Sequence, residues 1–360
     1  MLSKTTIDQV NDLPLDQVIS KYVELKKQGS QLTGKSPFTE EKSGSFTVSV
    51  SKGIWKCFST GIGGNNAINF LMKKNNCSFV EAVKELATDF GIAIEYDDSE
   101  KAKAYEQKAE KVQQITDLNS LALDYFLSHA PKIPFEKKRA TAEMYERFSL
   151  GYAPEDWAGL MNHLVSKGIS QDQLLRAGLI VKSEGGKHFD FFRGRIMFPI
   201  FSVSGKILGF SGRDITEPKE GEEKKSVKVL NSKETDAYHK SESILGIYQA
   251  KNFINQMGFA CLVEGNFDVT SFHQAGMANT VAPLGTAFTK EQAKIIKRFT
   301  DTIALCVDND KAGKEKIEKN TIMLLEEGFK VMVFIPEDEG SDPDDFIQKR
   351  DWTDGSFPDY

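Results

Sequence analysis

The sequence lacks the features of membrane and secreted proteins. It contains no run of about 18 apolar residues, which a transmembrane helix requires. Residues 1–23 form an amphipathic pattern without the apolar centre of a signal peptide. The four cysteines (Cys57, Cys77, Cys261 and Cys306) lie far apart in the chain, which excludes a disulfide scaffold. These absences predict a cytoplasmic protein without a membrane partner.

Net positive charge is also missing. Lysine and arginine number 46 against 52 acidic residues, so the formal net charge is −6. A nucleic-acid partner would therefore need local basic patches, or metal ions held by clustered acids. We find no internal repeat of 20–50 residues, which excludes a solenoid or propeller. The 360 residues suffice for two or three domains, each with its own core.

The pattern of elements predicts a multidomain α/β chain. Residues 1–97 combine helices with a short β-rich stretch, and residues 98–118 form a charged, helix-prone linker that fits a solvated helix face equally well. Residues 119–257 are mixed α and β and include a hairpin pattern in "RGRIMFPIFSVSGKILGFSGR". Residues 258–346 alternate apolar strands with helices, which predicts a parallel sheet covered by helices. A short tail, residues 347–360, follows.

Acidic residues follow three strands of this predicted parallel sheet. Glu264 follows "ACLV", Asp308 and Asp310 follow "IALCV", and Asp342 and Asp344 follow "KVMVFIP". Ligands bind at the carboxyl ends of parallel strands, and divalent cations offset the repulsion between gathered carboxylates. Oxygen ligands without histidine favour two or more Mg²⁺ or Mn²⁺ ions, which stabilise the oxygens of phosphoryl transfer. One such aspartate would most often be an ordinary loop residue, but three clusters on one sheet favour the metal interpretation.

Two groups of motifs then resemble known families. "VEGNFDV", "CVDNDKAG" and "DPDD" resemble the Toprim signature, which primases, topoisomerases and some nucleases share. The segments "FSLGYAPEDWAGLMNHL", "LLRAGLIV", "FRGRIMFPI", "GKILGFSGR", "KVLNSKET", "YHKSESILGIYQA" and "LGTAFT" resemble, in that order, the catalytic core of DnaG-type bacterial primases. The similarity runs from about residue 145 to 346. It implies an α+β primase core subdomain followed by a Toprim domain with a Rossmann-like parallel sheet.

The resemblance implies a nucleotidyltransferase that makes short RNA primers from NTPs on single-stranded DNA. In that role Glu264, Asp308 and Asp310 would be catalytic, and they would bind metal together with Asp342 and Asp344. Nucleotide and template would be held by Arg213, Lys228, Asn231 and Lys240, with Arg193 and Arg195 beside them. If the backbone is extended, Arg193 and Arg195 share a face. Val229 stands where the family usually has an aromatic residue. An argument from stacking at this position is therefore weakened, whereas the role implied for Lys228 is unaffected.

By the same resemblance, residues 1–97 correspond to the zinc-ribbon domain of the family. Its four ligand positions read Ser36, Thr39, Cys57 and Thr60. A structural zinc site needs four cysteine or histidine ligands, so the sequence predicts a ribbon without zinc in which Cys57 is a remnant thiol. The glycine loop "GIGGN" follows. A phosphate-binding loop has a preceding strand and a lysine, and this loop lacks both, so a phosphate cradle is the weaker alternative.

The ribbon would keep its fold through an apolar core and would contact the single-stranded template. Exposed aromatics together with Lys42, Lys52 and Lys56 are candidates for that contact, although each lysine fits a solvated surface as well. The predicted core residues are Phe38, Phe46, Trp55, Phe58, Phe70, Leu71 and Phe79.

The end of the sequence departs from the family pattern. A family member would continue past "DPDDFIQK" into a helical subdomain and a helicase-binding domain, whereas this sequence ends at "RDWTDGSFPDY". A replicative helicase is therefore expected as a partner only if such a domain exists elsewhere. Two alternatives stay open: a Toprim nuclease or topoisomerase-like enzyme, and an inactive remnant that binds single-stranded DNA. A topoisomerase needs a tyrosine nucleophile in a separate domain, and no segment here is large enough for one.

Overall fold

A computed structural model divides the chain into two compact units, Met1–Lys108 and Ala109–Tyr360. In the described part of the chain, no helix has the length and apolar character that crossing a bilayer requires. The four cysteines are free thiols. The structure describes residues 2–39, 41–42, 44–75, 77–96, 99–133, 140–216, 227–285, 287–306 and 311–334.

The first unit contains an antiparallel sheet whose strands follow one another in chain order. Its strands are β1 (Lys26–Gln28), β2 (Gln31–Gly34), β3 (Phe46–Ser49), β4 (Ile54–Cys57) and β5 (Gly63–Gly64). Its helices are α1 (Lys4–Asn11), α2 (Leu15–Ser20), α3 (Ala67–Asn75) and α4 (Phe79–Asp89). Helix α5 (Ser99–His129) covers most of the predicted linker, and the boundary between the two units lies inside it.

Most of the predicted core of this unit is confirmed. Phe46, Trp55, Phe70 and Leu71 are buried, and Phe38 stacks on Trp55 with ring centroids 5.6 Å apart. The glycine loop passes over the same indole: a Cβ at Gly64 would lie 2.8 Å from Trp55 Cζ2 and 2.1 Å from Asn69 Oδ1, so no side chain fits there.

The prediction was wrong for two aromatic residues. Phe58 is 65% exposed and Phe79 is 41% exposed. Along β4 the side chains alternate, with Trp55 and Cys57 inward, so Phe58 falls on the outer side. Phe79 opens α4, whose inward face begins only at Ala82.

The second unit begins with the part of α5 from Ala109 onward, followed by a four-stranded antiparallel sheet in the order β11-β10-β9-β6. The predicted hairpin is confirmed: Arg195 pairs with Asp214 at one end, and Phe201 pairs with Ile207 at the other. The strands of this part are β6 (Gly151–Ala153), β7 (Ile180–Lys182), β8 (His188–Asp190), β9 (Arg195–Phe201), β10 (Ile207–Asp214) and β11 (Val229–Asn231). Its further helices are α6 (Ala142–Arg147), α7 (Gly159–Ser166), α8 (Gln171–Arg176) and α9 (Ile247–Met257).

The predicted parallel sheet is confirmed, in the order β13-β12-β14-β15. Leu262 pairs with Leu305, and Cys306 pairs with Phe334, so three strands end at one edge. A shared hydrophobic core joins this sheet to the antiparallel one. Within it, the ring centroids of Phe198 and Phe267 lie 5.3 Å apart. The elements are β12 (Ala260–Leu262), α10 (Asn266–Gln274), β13 (Thr280–Val281), α11 (Lys290–Lys297), β14 (Thr302–Cys306), α12 (Lys311–Glu326) and β15 (Lys330–Phe334).

Candidate functional site

Glu264 lies two residues past the end of β12, at the carboxyl edge of the parallel sheet. Its Oε2 forms an ion pair with Lys316 Nζ of α12. Its Oε1 is buried and has no hydrogen-bond partner within the described residues. A buried carboxylate oxygen without a partner is costly unless something binds it. Glu264 therefore presents one paired oxygen and one oxygen able to accept a ligand.

A cavity of about 530 Å³ opens beside Glu264 at the ends of β12, β13 and β14. Lys316 and Lys319 from α12 contribute its positive charge, and Glu264 and Glu315 its negative charge. Its floor is formed by apolar residues of the strands, including Leu262 and Leu305. The cavity thus combines an apolar base with charged walls, as expected for a site that binds a charged ligand.

Two side-chain amides fix the antiparallel sheet against this edge. Asn266, the first residue of α10, donates from Nδ2 to Ser211 Oγ of β10 at 2.8 Å. Asn231, at the end of β11, donates from Nδ2 to the Leu284 carbonyl at 2.7 Å. The Oδ1 of Asn231 is buried without a hydrogen-bond partner in the described part of the chain. The predicted site residue Asn231 therefore lies where the two sheets meet.

Arg213 lies on the same strand as Ser211 and points toward α10. Its guanidinium carbon is 5.9 Å from the centroid of the Phe267 ring, three residues past Glu264. Arg213 pairs in register with Val229 of β11, and the adjacent Lys228 is exposed. The register thus brings the Lys228 backbone next to β10, one residue before the strand partner of Arg213.

Lys240 begins a short 3₁₀ helix (Lys240–Glu242). Its main-chain N–H donates to Glu234 Oε1 at 2.9 Å, and its carbonyl accepts from Gln292 Nε2 of α11 at 3.2 Å. The Lys240 side chain is half-buried. The hydrogen bond to Gln292 fixes the Lys240 backbone against α11 of the parallel-sheet segment. The predicted groove requires Lys240 to lie beside this segment.

The backbone between Arg193 and Arg195 is not extended, so the condition under which they would share a face is not met. Gly194 between them has a φ of +62°, a left-handed conformation that interrupts the extended backbone. The Arg193 guanidinium carbon lies 4.3 Å from the Trp157 ring centroid and 5.1 Å from that of Phe189.

Arg195 is buried at 5% exposure in the antiparallel sheet. Its Nη1 donates to the carbonyls of Gly212 at 3.1 Å and Val227 at 3.0 Å. Burial lowers the pKa of Arg195, and the neighbouring Asp214 carboxylate opposes that shift. The guanidinium of Arg195 is therefore engaged inside the sheet.

The remaining predicted metal ligands, Asp308, Asp310, Asp342 and Asp344, lie outside the described residues. Within the described ranges, no group of three or more histidine, cysteine or acidic side chains is placed to hold a metal ion. Their assignment stays a prediction.

Two of the predicted ligand positions of the ribbon, Ser36 and Thr60, hydrogen-bond to the buried thiol of a third, Cys57. Cys57 Sγ lies 3.2 Å from Ser36 Oγ, and Thr60 also hydrogen-bonds to it. Thr39 is exposed. Burial raises the pKa of the Cys57 thiol, but hydrogen bonds from the surrounding hydroxyls outweigh this and lower it to about 6.

Sequence comparisons match three segments of the chain to known families. The CHC2 zinc finger family matches residues 2–102. The family described as the N-terminal domain of the DNA primase catalytic core matches residues 131–251. The Toprim-like family matches residues 261–347.

Individual proteins match across these segments together. The DNA primase of Clostridium acetobutylicum is 38% identical over 97% of this chain. The crystal structure of the zinc-binding and RNA polymerase domains of Aquifex aeolicus primase matches with a TM-score of 0.60 at 33% identity, covering 97% of this chain and 83% of that one. The chain belongs to the DnaG family of bacterial DNA primases. A DnaG catalytic domain solved with single-stranded DNA also matches, with a TM-score of 0.60 at 27% identity over 68% of this chain and 79% of that one.

This DnaG-family chain spans little more than half the length of its curated relatives, for example 57% of the Clostridium acetobutylicum primase and 58% of the primase from Halalkalibacterium halodurans.

Sequence reasoning missed two residues of this DnaG-family chain. Lys316 is 52 positions from its partner Glu264, and nothing in "KAGKEKIEK" distinguishes it from a solvated helix lysine. Glu41 binds three donors of the ribbon, although it reads as one of several loop charges in "TEEKS". Both contacts join segments that are distant or irregular, where periodicity carries no signal.

Proposed function

We propose that this chain is a nucleotidyltransferase that synthesises short RNA primers on single-stranded DNA. The observation that carries the proposal is Glu264, with one buried and unpartnered carboxylate oxygen at the carboxyl edge of the parallel sheet. We assign Arg213 and Lys228 to a basic groove, because both belong to the antiparallel sheet that Asn231 and Asn266 fix against this edge. The match to a DnaG domain bound to single-stranded DNA supports the template as partner.

In the proposed reaction the 3′-hydroxyl of the growing RNA attacks the α-phosphate of an incoming NTP. The new bond joins that oxygen to phosphorus, the bond to the β-phosphate oxygen breaks, and pyrophosphate leaves. Glu264 would orient the reacting groups or complete the acidic site. Arg213, Lys228 and Lys240 would hold the triphosphate and the template by charge.

The residues present fit a divalent cation at the Toprim-like edge. The Glu264 Oε1 atom is a hard oxygen donor that lacks a partner in the described residues, and such oxygens suit Mg²⁺ or Mn²⁺. Bound cations would supply positive charge for the developing negative charge on the phosphates. We assign Glu264, Asp308, Asp310, Asp342 and Asp344 to hold them.

The ribbon is different, because its donors do not fit zinc. Its four positions offer one thiol and three hydroxyls, and hydroxyls at neutral pH are poor zinc ligands. We expect much less than one zinc per chain. The free thiols agree with a reducing compartment such as the cytoplasm.

One assay separates the candidate functions. The protein is incubated with single-stranded DNA, Mg²⁺ or Mn²⁺ and labelled NTPs. Short RNA products support the primase, cleaved DNA supports a Toprim nuclease, and neither product supports a remnant that only binds DNA.

Substituting Lys228 or Lys240 by alanine is expected to weaken DNA binding and to reduce its salt dependence. A lysine that neutralises one phosphate contributes about one unit to the slope of log K against log salt, so each substitution should reduce the slope by that amount. Fluorescence anisotropy with labelled single-stranded DNA at several salt concentrations measures the slope. The control is Lys182→Ala, because Lys182 is exposed on the separate β7–β8 hairpin. Unchanged slopes for both variants would place these lysines outside the groove.

Substituting Lys316 by alanine is expected to tighten divalent-cation binding. The Lys316 ammonium pairs with the carboxylate that we assign to the metal site, so a cation must compete with it. The Lys316 side chain is 52% exposed, so solvent screens the pair and limits the gain to about two- to fivefold. Electron paramagnetic resonance of free Mn²⁺ measures the affinity without requiring activity. The matched control is Lys319→Ala, which lines the same cavity. If Lys316→Ala weakened Mn²⁺ binding and Lys319→Ala did not, Lys316 would help to form the metal site instead of competing with the cation.

A further inference from the structure

A hydrogen-bonded cluster occupies the position in the ribbon where the family name implies a metal. Its centre is the buried Cys57 Sγ, which lies 3.2 Å from both Ser36 Oγ and Ser59 Oγ and 3.6 Å from Ser45 Oγ. These atoms come from two separate segments, residues 36–45 before β3 and residues 57–60 at the end of β4. A zinc ion in a ribbon connects two such segments through its ligands.

Glu41 binds the first of these segments and reaches the second through Ser45. Its Oε1 accepts the main-chain N–H of Ser36 at 2.7 Å and that of Ser45 at 2.8 Å. Its Oε2 accepts the Ser45 hydroxyl at 2.6 Å. Ser45 Oγ also lies 2.7 Å from Ser59 Oγ, which extends the network to the second segment. The Ser45 hydroxyl and the two main-chain N–H donors stabilise the charged carboxylate, and their effect outweighs that of burial. The pKa of Glu41 is therefore lowered to about 2.

The protons of the cluster can be assigned consistently when Cys57 is a thiolate. Each hydroxyl has one proton to donate and two lone pairs. Ser36 Oγ accepts the Phe38 N–H at 3.1 Å, which leaves its own proton for the sulfur. Thr60 also hydrogen-bonds to the sulfur, while Ser59 can give its proton to Ser45 Oγ, 2.7 Å away, and Ser45 gives its own proton to Glu41. Ser36 and Thr60 then donate to the thiolate, and the chain from Ser59 through Ser45 ends on the Glu41 carboxylate. Hydrogen bonds to charged groups of this kind are the stronger ones.

We infer that this thiol, hydroxyl and carboxylate cluster holds the two segments of the ribbon together in place of a zinc ion. The inference concerns the first unit alone and is independent of RNA synthesis by the second. The ribbon sheet then forms without metal, because its cross-link is made by Glu41, Ser36, Ser45, Ser59 and Cys57.

The first test compares Glu41→Gln with wild type. Hydrogen exchange followed by mass spectrometry is measured on the full chain, with and without a zinc chelator. Removing the carboxylate should reduce protection of peptides from residues 36–60 by about tenfold or more, because several hydrogen bonds to a charged group are weakened or broken. The chelator should change nothing. The matched control is Lys42→Gln, which neutralises an exposed charge on the next residue and should leave protection unchanged.

Elemental analysis and the same exchange data separate the outcomes. Stoichiometric zinc in the purified protein would overturn both the expected absence of zinc and the cluster. Absence of zinc together with unchanged protection in Glu41→Gln would overturn the cluster alone. Neither result depends on whether primers are made.

The pH dependence of the ribbon gives an independent readout. The pKa of Cys57 is about 6 in the fold against an ordinary value of 9.0. The lowered pKa means that the thiolate stabilises the fold fully above pH 9 and that this stabilisation is lost as pH falls toward 6. Glu41 stays charged throughout this window. The adjacent strands β3 and β5 carry no titratable side chain, and Lys56 of β4 points outward with Nζ 5.5 Å from the Phe58 ring centroid.

Protection of residues 36–60, corrected for intrinsic exchange, should therefore rise between pH 6 and 9 in wild type. Cys57→Ser keeps a small polar side chain that does not ionise, so this variant should fold but lose the slope. The same slope in both proteins would show that Cys57 stays protonated and would overturn the thiolate arrangement.

A gain-of-function variant tests whether the cluster occupies the metal position. Ser36→Cys, Thr39→His and Thr60→Cys together with Cys57 supply three thiolates and one imidazole, a ligand set that holds structural zinc. The triple variant should bind about one zinc per chain and should no longer need Glu41 for protection of residues 36–60. A folded triple variant that takes up no zinc would show that these positions do not converge, and the inference would be wrong.

Discussion

Asp308→Ala and Asp310→Ala are each expected to abolish primer synthesis. Both aspartates follow β14 in the sequence. This strand lies parallel to β12 and ends at the same edge of the sheet, where Glu264 lies. Removing one ligand from a site that stabilises the charge of phosphoryl transfer should lower the rate at least about 100-fold. Folding should not suffer, because removing one of several like charges relieves repulsion, and the melting temperature without metal should hold or rise.

The measurement is primer synthesis on single-stranded DNA together with a thermal melt. Asp301→Ala is the matched control, since Asp301 lies at the opposite end of β14 and pairs at the surface with Lys330 at 3.6 Å. It should retain activity. Wild-type rates in either test variant would refute the metal assignment, and a lower melting temperature would give the aspartate a structural role instead.

Arg195→Leu is expected to destabilise the antiparallel sheet strongly. The substitution removes two buried hydrogen bonds to the Gly212 and Val227 carbonyls and the charge opposite Asp214. Leaving a buried charge without its counterpart should cost about 3 kcal/mol or more. Arg195→Lys keeps the charge and part of the donor set, so its free energy of unfolding should lie between those of wild type and Arg195→Leu.

Hydrogen exchange on peptides from residues 195–214 measures this free energy locally. The control is Arg176→Leu, because Arg176 is exposed on α8 and its removal should change stability little. If Arg195→Leu kept full stability but lost DNA binding or primer synthesis, Arg195 would contact substrate as the family resemblance suggested.

The sequence was most informative where structure is local and periodic. Alternating strands and helices from residue 258 onward predicted the parallel sheet, because each element has a hydrophobic period readable within its own length. The hairpin of β9 and β10 was predicted for the same reason. Glu264 was found by combining the end of a strand with the rule that such ends bind ligands.

Local patterns failed where one residue changes the direction of the chain. Arg193 and Arg195 are two apart, but the left-handed conformation of Gly194 sends their side chains into different surroundings. Phe58 is as apolar as Trp55, yet it falls on the outer side of the sheet because the alternation along β4 had already been set. Hydrophobicity alone does not decide whether a residue at the end of a strand faces the core or the solvent.

The sequence by itself determined the order of the elements and the edge of the sheet that carries Glu264. Only the tertiary structure decided the partners of the polar groups. Lys316 pairs with Glu264, Asn231 donates to the Leu284 carbonyl, and Glu41 accepts hydrogen bonds from Ser36 and Ser45 of the ribbon. The physical reason is that burial and charge act between atoms that are near in space, and folding brings together residues whose separation along the chain has no period.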